Sequence, residues 1–287
     1  MTLDSSAPAG SSAGALYVVA TPIGNLEDIT LRALRTLKEC DLIACEDTRT
    51  TLKLLSRYDI HRPVTSYHQH SGGKKAGDLL AEIGRGKNVA LVSEAGMPGI
   101  SDPGHELIAA CIAAGIQVIP IPGACALITL LPVSGLNTSA FVFQGFPPRK
   151  PGERARLFEG LRQETRTLLF YESPNRVRAT LEAMLDAWGD RPVALGRELT
   201  KLHEEVWRGA LGEAVAEFTE RRPRGEFVIA VAGAARQAEN AEDLEKEYLL
   251  LVSKGLDDKA AIAVLVKSSG LTRRQVYALV LQWKGKR

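Results

Sequence analysis

Short apolar runs rich in β-branched residues alternate with amphipathic segments of helix length along most of this 287-residue chain. In the first half the apolar runs occupy residues 16–20, 42–45, 64–67, 89–92 and 118–120, and the amphipathic segments occupy residues 30–38, 50–58, 76–83, 104–114 and 124–131. Such alternation is typical of parallel strands joined by helical crossovers. We therefore predict an α/β fold.

A second set of strands and helices follows an interruption at Gly135, Asn137 and Ser139, which supply turn chemistry. Strands are predicted at residues 141–144, 167–171, 193–197 and 227–232, and helices at residues 153–161, 176–188 and 212–220. A polar, alanine-rich stretch at 234–241 precedes three predicted short helices at 244–252, 258–266 and 272–283, with Thr272 as an N-cap. These three helices are similar to a small helix-turn-helix bundle.

The chain is thereby divided into four parts. We predict a disordered tail at residues 1–14, an N-terminal α/β lobe at 15–136, a C-terminal α/β lobe at 137–235 and a basic helical module at 240–287.

The composition excludes several classes of protein. With 45% hydrophobic and 24% charged residues the chain has globular values, which are not those of collagen-like or disordered proteins. No apolar run approaches the roughly 20 residues that a membrane-spanning helix needs, and the first residues lack the pattern of a secretory signal. We therefore expect a cytoplasmic protein without a membrane anchor. Its four cysteines form neither a disulfide framework nor a CxxC motif, so we expect no metal site.

Positive charge is concentrated at the end of the chain. After Asp258 there is no acidic residue, while seven Lys and Arg residues follow, among them Arg273 and Arg274. Such a block suits a polyanion, because each Lys or Arg that meets a phosphate releases condensed counterions. A solvated basic tail is the alternative that the residues alone leave open.

Three loops rich in Gly, Pro and small residues follow predicted strands of the first lobe. They comprise residues 21–25, 93–104 and 120–126. Because ligands of open α/β sheets bind at the carboxyl ends of the strands, these loops predict a shared pocket. The pocket does not have a dinucleotide or ATP fingerprint, since Gly84-Arg85-Gly86 precedes a strand and residues 72–77 lead to Asp78 where a P-loop has Lys. The same absence disfavours the ordinary Rossmann-type methyltransferase.

Charged residues follow other predicted strands. Glu46, Asp47 and Arg49 could supply a proton acceptor and a phosphate clamp, although helix capping by Asp47 or Thr48 would also explain this motif. His68 and His70 could form a metal pair, but a loop that contacts substrate is favoured. Mixed-charge loops at residues 170–176 and 197–201 could be a salt-bridge scaffold, and their positions favour the cleft between the lobes.

Six motifs in order resemble the ribosomal RNA small subunit methyltransferase I family, of the tetrapyrrole-methylase superfamily. They are Thr-Pro-Ile-Gly-Asn at residue 21, Glu-Asp-Thr-Arg at 46, the loop 93–104, Pro-Gly-Ala-Cys-Ala at 122, Phe-Tyr-Glu-Ser-Pro at 170 and Arg-Glu-Leu-Thr-Lys at 197. The resemblance covers residues 15–235, and the basic tail is similar to the family's C-terminal module. It implies a two-lobed tetrapyrrole-methylase-like fold, S-adenosylmethionine as methyl donor, and a homodimer. The implied acceptor is the ribose 2′-hydroxyl of a decoding-region cytidine in the 16S RNA of the 30S subunit.

The resemblance also assigns roles to residues. The implied cofactor loops contain Pro22, Ile23, Gly24, Ser93, Glu94, Ala95, Gly96, Asp102, Ala124, Cys125, Ala126 and Tyr171. Two positions depart from the family pattern. Glu94 stands where the family usually has Asp, which changes the reach of the carboxylate, and Met97 stands where the family usually has Thr. We expect His68, Lys201, Arg273 and Arg274 to contact RNA.

Methyl transfer from a sulfonium requires positioning and no metal, and a base within hydrogen-bond distance helps to deprotonate a weakly acidic hydroxyl. We predict that Glu46 or Asp47 is this base and that Arg49 fixes a flanking phosphate. Two alternatives remain. The chain could be a small-molecule, tetrapyrrole-type methylase of the same superfamily, or a non-catalytic nucleic-acid-binding protein that uses its terminal helices. Binding of S-adenosylmethionine would exclude the second alternative.

Overall fold

The computed structural model describes residues 14–68, 72–221, 223–235, 241–269 and 271–285. In these residues ten strands form two five-stranded sheets, and three further helices form a separate bundle. The predicted disordered tail lies outside the described residues except for Gly14. The predicted α/β fold is confirmed.

The first sheet is entirely parallel, as predicted. Its strands are arranged in the order β3-β2-β4-β1-β5, so the loops that follow all five strands emerge at one edge. The strands are β1 (Leu16–Val19), β2 (Leu42–Cys45), β3 (Val64–Ser66), β4 (Val89–Val92) and β5 (Val118–Ile121). The helices are α1 (Leu31–Glu39), α2 (Thr48–Arg57), α3 (Gly72–Gly84), α4 (His105–Ala113) and α5 (Ala126–Leu130).

Helices cover both faces of this sheet because its strands are apolar on both sides. Leu16, Val89 and Leu91 belong to one buried cluster, while Val19 and Val92 belong to the cluster on the other side. Burial of each such side chain contributes roughly 1.5–3 kcal/mol relative to exposure. The sheet is therefore a rigid platform, and the loops at its carboxyl edge are fixed relative to one another.

The second sheet differs from the prediction. Its order is β6-β7-β10-β8-β9, and only β6 and β7 are parallel, whereas the remaining neighbours are antiparallel. The expectation of parallel strands was wrong here. The strands are β6 (Phe141–Phe143), β7 (Thr167–Glu172), β8 (Pro192–Arg197), β9 (Glu205–Ala210) and β10 (Phe227–Val231), and the helices are α6 (Pro151–Gly160), α7 (Val177–Trp188) and α8 (Leu211–Glu220).

The strand β9 was absent from the sequence prediction. It is an edge strand with β8 as its neighbour in the sheet. Its residues, Glu-Val-Trp-Arg-Gly-Ala, are half-buried or exposed and do not alternate between apolar and polar. Its Glu205 accepts hydrogen bonds from Arg197 Nε at 2.9 Å and Arg221 Nη2 at 2.5 Å. An inner strand is predicted from its apolar pattern, whereas this edge strand is held partly by ion pairs between residues that are distant in sequence. Its sequence therefore has no apolar strand signal.

Successive residues of the second sheet face different helices. Phe170 packs with Phe158 and Trp188 on the side of α6 and α7, whereas Leu169 packs with Leu130 of α5 on the other side. Helix α5 thus follows the first sheet in sequence but packs on the second. This packing places the carboxyl edge of the first sheet beside one face of the second.

The predicted helical module is a three-helix bundle of α9 (Ala241–Ser253), α10 (Asp258–Ser269) and α11 (Arg273–Gly285). It has its own apolar core, which includes Leu244, Leu265, Val276 and Trp283. Thr272 caps α11 as predicted, because its hydroxyl accepts from the Gln275 amide while the Gln275 side chain accepts from the Thr272 amide at 2.9 Å. None of the helices among the described residues is both long and apolar enough to cross a membrane.

Candidate active site

A cavity of about 480 Å³ lies between the carboxyl edge of the first sheet and the strands β7, β8 and β10 of the second. Loops that follow β1, β4 and β5 contribute one side of it. Most of the predicted cofactor residues line this cavity, namely Ile23, Glu94, Ala95, Gly96, Asp102, Cys125, Ala126 and Tyr171. The three loops therefore converge on one cavity.

The loops after β1 and β4 are tied together into a wall. Thr21 and Gly96 exchange backbone hydrogen bonds at 2.9 and 3.1 Å. The Thr21 hydroxyl also donates to the Ser93 carbonyl at 3.1 Å, and the Ser93 hydroxyl donates to the Gly96 carbonyl at 2.9 Å. Gly96 has a φ of 87°, a conformation that favours glycine, so its conformational freedom is needed to form this wall.

The other predicted cofactor residues lie next to the cavity. Pro22 and Ser93 line a second, smaller pocket of about 230 Å³, and Glu94 lines both. Gly24 lies against Lys201, since a β-carbon at Gly24 would be 2.3 Å from Lys201 Cγ. Ala124 lines neither pocket, although its carbonyl lies close to Gly96.

Three carboxylates of the first lobe, those of Glu46, Glu94 and Asp102, form one acidic group. Burial and the charge of Glu46 raise the pKa of Asp102 to about 6, with a further contribution from Glu94. Burial and the charge of Glu94 raise the pKa of Glu46, which the His68 charge lowers in part. This group, at the ends of β2 and β4, gives its end of the site a negative potential and increases the basicity of Glu46 relative to an ordinary carboxylate.

Asp47 has a different environment from Glu46. Its side chain caps α2 by accepting from the Arg49 amide at 2.8 Å, and it also accepts from Arg49 Nη2 at 2.7 Å. These bonds hold the pKa of Asp47 at about 2. The capping interpretation is therefore confirmed for Asp47, whereas a proton acceptor and a phosphate clamp in this motif stay predictions. Arg49 is exposed and its guanidinium is paired with Asp47.

The second lobe contributes a strained loop after β8. Glu198 and Thr200 have φ angles of 49° and 65°, which non-glycine residues rarely adopt. The Glu198 carboxylate accepts from the Glu226 amide at 3.0 Å and from Lys201 Nζ at 2.9 Å, and Asn25 N donates to the Thr200 hydroxyl at 3.2 Å. This loop joins the two lobes at the cavity.

The predicted RNA contacts lie in different places. Lys201 lines the cavity and is ion-paired with Glu198 and Glu226, so its role in RNA binding stays a prediction beside this structural role. His68 is exposed after β3, and His70 lies outside the described residues. Arg273 and Arg274 are exposed in the first turn of α11. Within the described part of the chain, no three His, Cys, Asp or Glu residues are grouped so that they could hold a metal ion.

Sequence reasoning missed several residues of the second lobe that line the cavity. Phe146, Gly196, Phe227 and Val228 are examples. Phe146 follows the end of β6, and its position after a strand end is a sequence signal that could have identified it. The others belong to or follow antiparallel strands, and their sequence carries only an apolar strand signal.

Comparison with known proteins relates this chain to methyltransferases. Residues 15–215 match the family described as Tetrapyrrole (Corrin/Porphyrin) Methylases. The chain is 50% identical over 273 residues to the ribosomal RNA small subunit methyltransferase I of Synechocystis sp., covering 94% of this chain and 98% of that protein. It is 47% identical over 220 residues to the protein of the same name from Thermotoga maritima, covering 77% of this chain and 99% of that protein.

Two solved structures have a similar fold. Cobalt precorrin-4 methyltransferase has a TM-score of 0.57 at 17% identity, covering 76% of this chain and 94% of that chain. Diphthine synthase has a TM-score of 0.59 at 13% identity, covering 77% of this chain and 90% of that chain. At such identities the likeness concerns the fold alone.

Proposed function

Since the chain belongs to the ribosomal RNA small subunit methyltransferase I family, we propose that it transfers the methyl group of S-adenosylmethionine to the ribose 2′-hydroxyl of a cytidine in the decoding region of 16S RNA. Family membership makes it an S-adenosylmethionine-dependent rRNA methyltransferase. The acceptor atom and nucleotide rest on the six-motif resemblance. The observation that carries the proposal is the convergence of five of those six motifs on one cavity, within a chain that matches these relatives over most of its length.

The residues of the larger cavity fit S-adenosylmethionine. Small residues such as Ala95, Gly96 and Ala126 leave room at its wall, and Tyr171 supplies an aromatic ring. Glu94 and Asp102 supply negative charge that complements a sulfonium cation, whereas the cation of Lys201 is balanced by Glu198 and Glu226. When bound, the cofactor supplies an electrophilic methyl group whose activation is already built into its charged sulfur.

Glu46 is the better of the two candidate bases. Its pKa is raised, while Asp47 has a pKa of about 2 and its oxygens are engaged by the α2 amide and by Arg49. Glu46 would accept the proton that the ribose hydroxyl loses as its oxygen takes the methyl group. The residues of the two lobes that line the cavity would hold the donor beside its acceptor, and positioning of this kind can remove roughly 7–11 kcal/mol of a barrier at best.

The names of the relatives support RNA as the substrate, independently of the helical module. The alignment with the Thermotoga maritima protein covers 99% of that protein in 220 residues. That protein is therefore too short to contain both sheets and the helical module, which extend from Leu16 to Gly285 in this chain. We propose that the module adds phosphate contacts away from the chemistry. We also propose that the enzyme is a cytoplasmic homodimer that acts on the 30S subunit.

One experiment tests the proposed function. The protein is incubated with methyl-labelled S-adenosylmethionine and 30S particles from a strain that lacks the activity, and the labelled nucleotide is mapped. Label on a 2′-oxygen of a decoding-region cytidine would support the proposal, whereas label elsewhere would contradict the assigned acceptor.

Binding of S-adenosylmethionine is expected to strengthen as the pH rises through about 6, the pKa of Asp102. Above this pH the carboxylate is ionised and attracts the cation, so we expect a gain of up to about tenfold in affinity between pH 5 and pH 7, or about 1.4 kcal/mol. Asp102→Asn should flatten this rise, as calorimetric titrations would measure. Asp78→Asn, which removes an exposed carboxylate of α3, is the control and should keep the wild-type profile.

The same group links stability to pH with the opposite sign. Because the folded pKa of Asp102 lies above its unfolded value, the folded state binds more protons between about pH 4 and pH 6. Its contribution to the free energy of unfolding should therefore fall as the pH rises through this window. An identical pH dependence of unfolding in wild type and Asp102→Asn would contradict the assignment.

A further inference from the structure

The smaller pocket is lined in part by the wall that the loops after β1 and β4 form. Thr21, Pro22 and Glu94 belong to this wall, and Leu26 and the first turns of α2 complete the pocket. The Tyr58 hydroxyl at the end of α2 donates to the Leu26 carbonyl at 2.5 Å, which ties the helix to the loop. The pocket is therefore framed by elements that are bonded to one another.

Glu94 is the residue common to both cavities. A ligand in the larger cavity and a second ligand in the smaller pocket would therefore approach each other at this side chain. Glu46, the proposed base, is close enough to Glu94 for the two charges to interact. Glu46 itself lines neither cavity, so a methyl acceptor held in the smaller pocket beside Glu94 would lie near the proposed base and not in contact with it through the pocket lining.

Lys53 lines the smaller pocket from α2 and is exposed. Among the described residues it has no ion pair, in contrast to Lys201 in the larger cavity, which is paired with Glu198 and Glu226. The pocket thus combines an acidic end, at Glu94, with an available cation at its rim. A ribonucleotide has the matching arrangement, since its hydroxyl must reach the base and its phosphate needs a positive partner.

We propose that the pocket between the wall and α2 binds the acceptor ribonucleotide, with its ribose toward Glu94 and a flanking phosphate on Lys53. This inference rests on the proposed function and adds the place where the RNA substrate enters. It also transfers the phosphate contact from Arg49, whose guanidinium is paired with Asp47, to Lys53 one turn further along α2. An extruded nucleotide is the form in which an enzyme can take one base from a structured RNA into such a pocket.

Two variants test the pocket by different means. Thr50 is exposed and lines the pocket, so Thr50→Phe fills it from the helix surface without changing the core. Lys53→Gln removes the charge alone. The matched controls are Ser56→Phe, which places the same ring at an exposed position of α2 outside the pocket, and Lys38→Gln, which removes an exposed charge from the end of α1.

The measurements are the rate of methyl transfer to 30S particles that lack the modification, S-adenosylmethionine affinity by calorimetry, and the unfolding temperature. Thr50→Phe should lower kcat/KM for the particles by more than about tenfold, since the nucleotide cannot enter a filled pocket, and leave cofactor affinity within about twofold. Lys53→Gln should raise KM by about tenfold and reduce the slope of log affinity against log salt concentration by about 1. The control variants should match wild type.

The outcomes separate the two proposals. If wild type methylates the particles and both pocket variants match their controls, the pocket is not the nucleotide site, although the proposed function stands. If wild type places no label on the RNA, the proposed function fails and this inference fails with it. A loss of cofactor affinity or of folding in Thr50→Phe, with no effect of Lys53→Gln on KM or salt slope, would also overturn the inference.

Discussion

Replacement of Glu46 by Gln is expected to lower the rate of methyl transfer by about 10²–10⁴-fold at saturating RNA and cofactor, the range that a general base contributes. The amide has nearly the shape of the carboxylate but cannot accept the proton of the ribose hydroxyl. Because Glu46 does not line the larger cavity, the affinity for S-adenosylmethionine should change little. Single-turnover rates with preformed enzyme–cofactor complex, together with calorimetry, measure both quantities.

The neighbouring substitution Asp47→Asn provides the matched comparison. It removes the same charge one residue away, at a side chain whose pKa of about 2 makes it a weak base. Asparagine also caps helices well, so α2 should persist. We expect a much smaller loss of rate than for Glu46→Gln. Unchanged rates in both variants would eliminate the motif as the source of the base, and a larger loss for Asp47→Asn would reverse the assignment.

Removal of residues 240–287 is expected to weaken binding of ribosomal RNA by roughly 10²-fold at physiological salt, if three phosphate contacts are lost. Lys259, Arg273 and Arg274 are exposed on the module, whereas Lys284 is paired with Asp258. The slope of log affinity against log salt should fall by about 2 to 3. Filter binding at several salt concentrations measures both values.

The chemistry should survive this truncation. The bundle has its own core, and the Thermotoga maritima relative bears the same name at a length that cannot include both sheets and the bundle. We therefore expect nearly wild-type turnover at saturating RNA and unchanged affinity for S-adenosylmethionine. The full-length double variant Arg273→Gln/Arg274→Gln should lose part of the RNA affinity. If RNA affinity and its salt slope survived the truncation, the module would not be the RNA-binding element.

The two predictions also address the alternative functions. A non-catalytic nucleic-acid-binding protein would lose affinity on truncation but would have no rate for Glu46→Gln to lower. A tetrapyrrole-type methylase would methylate a small substrate at an unchanged rate after either change, Glu46→Gln or the truncation, and would not label 30S particles.

The sequence by itself determined the elements whose signal is local. The parallel first sheet and the cap at Thr272 agree with prediction, because apolar periodicity and capping residues act within a few positions of the chain. The Gly- and Pro-rich loops were predicted to share one edge for a related reason, since every parallel strand points its carboxyl end the same way. The roles of individual residues in those loops stay predictions.

Only the tertiary structure decided which distant residues meet. The antiparallel order of the second sheet, the edge strand β9 and the packing of α5 on the second sheet depend on contacts between remote segments. The same is true of the difference between Glu46 and Asp47, adjacent carboxylates whose pKa values shift in opposite directions. Burial and the charge of Glu94 raise the pKa of Glu46, whereas the bonds from Arg49 lower that of Asp47. The local sequence determines whether a segment forms a helix or a strand. The charge environment of a side chain and the partners of a strand depend on residues that are close in space but distant in sequence, so a local sequence pattern does not reveal them.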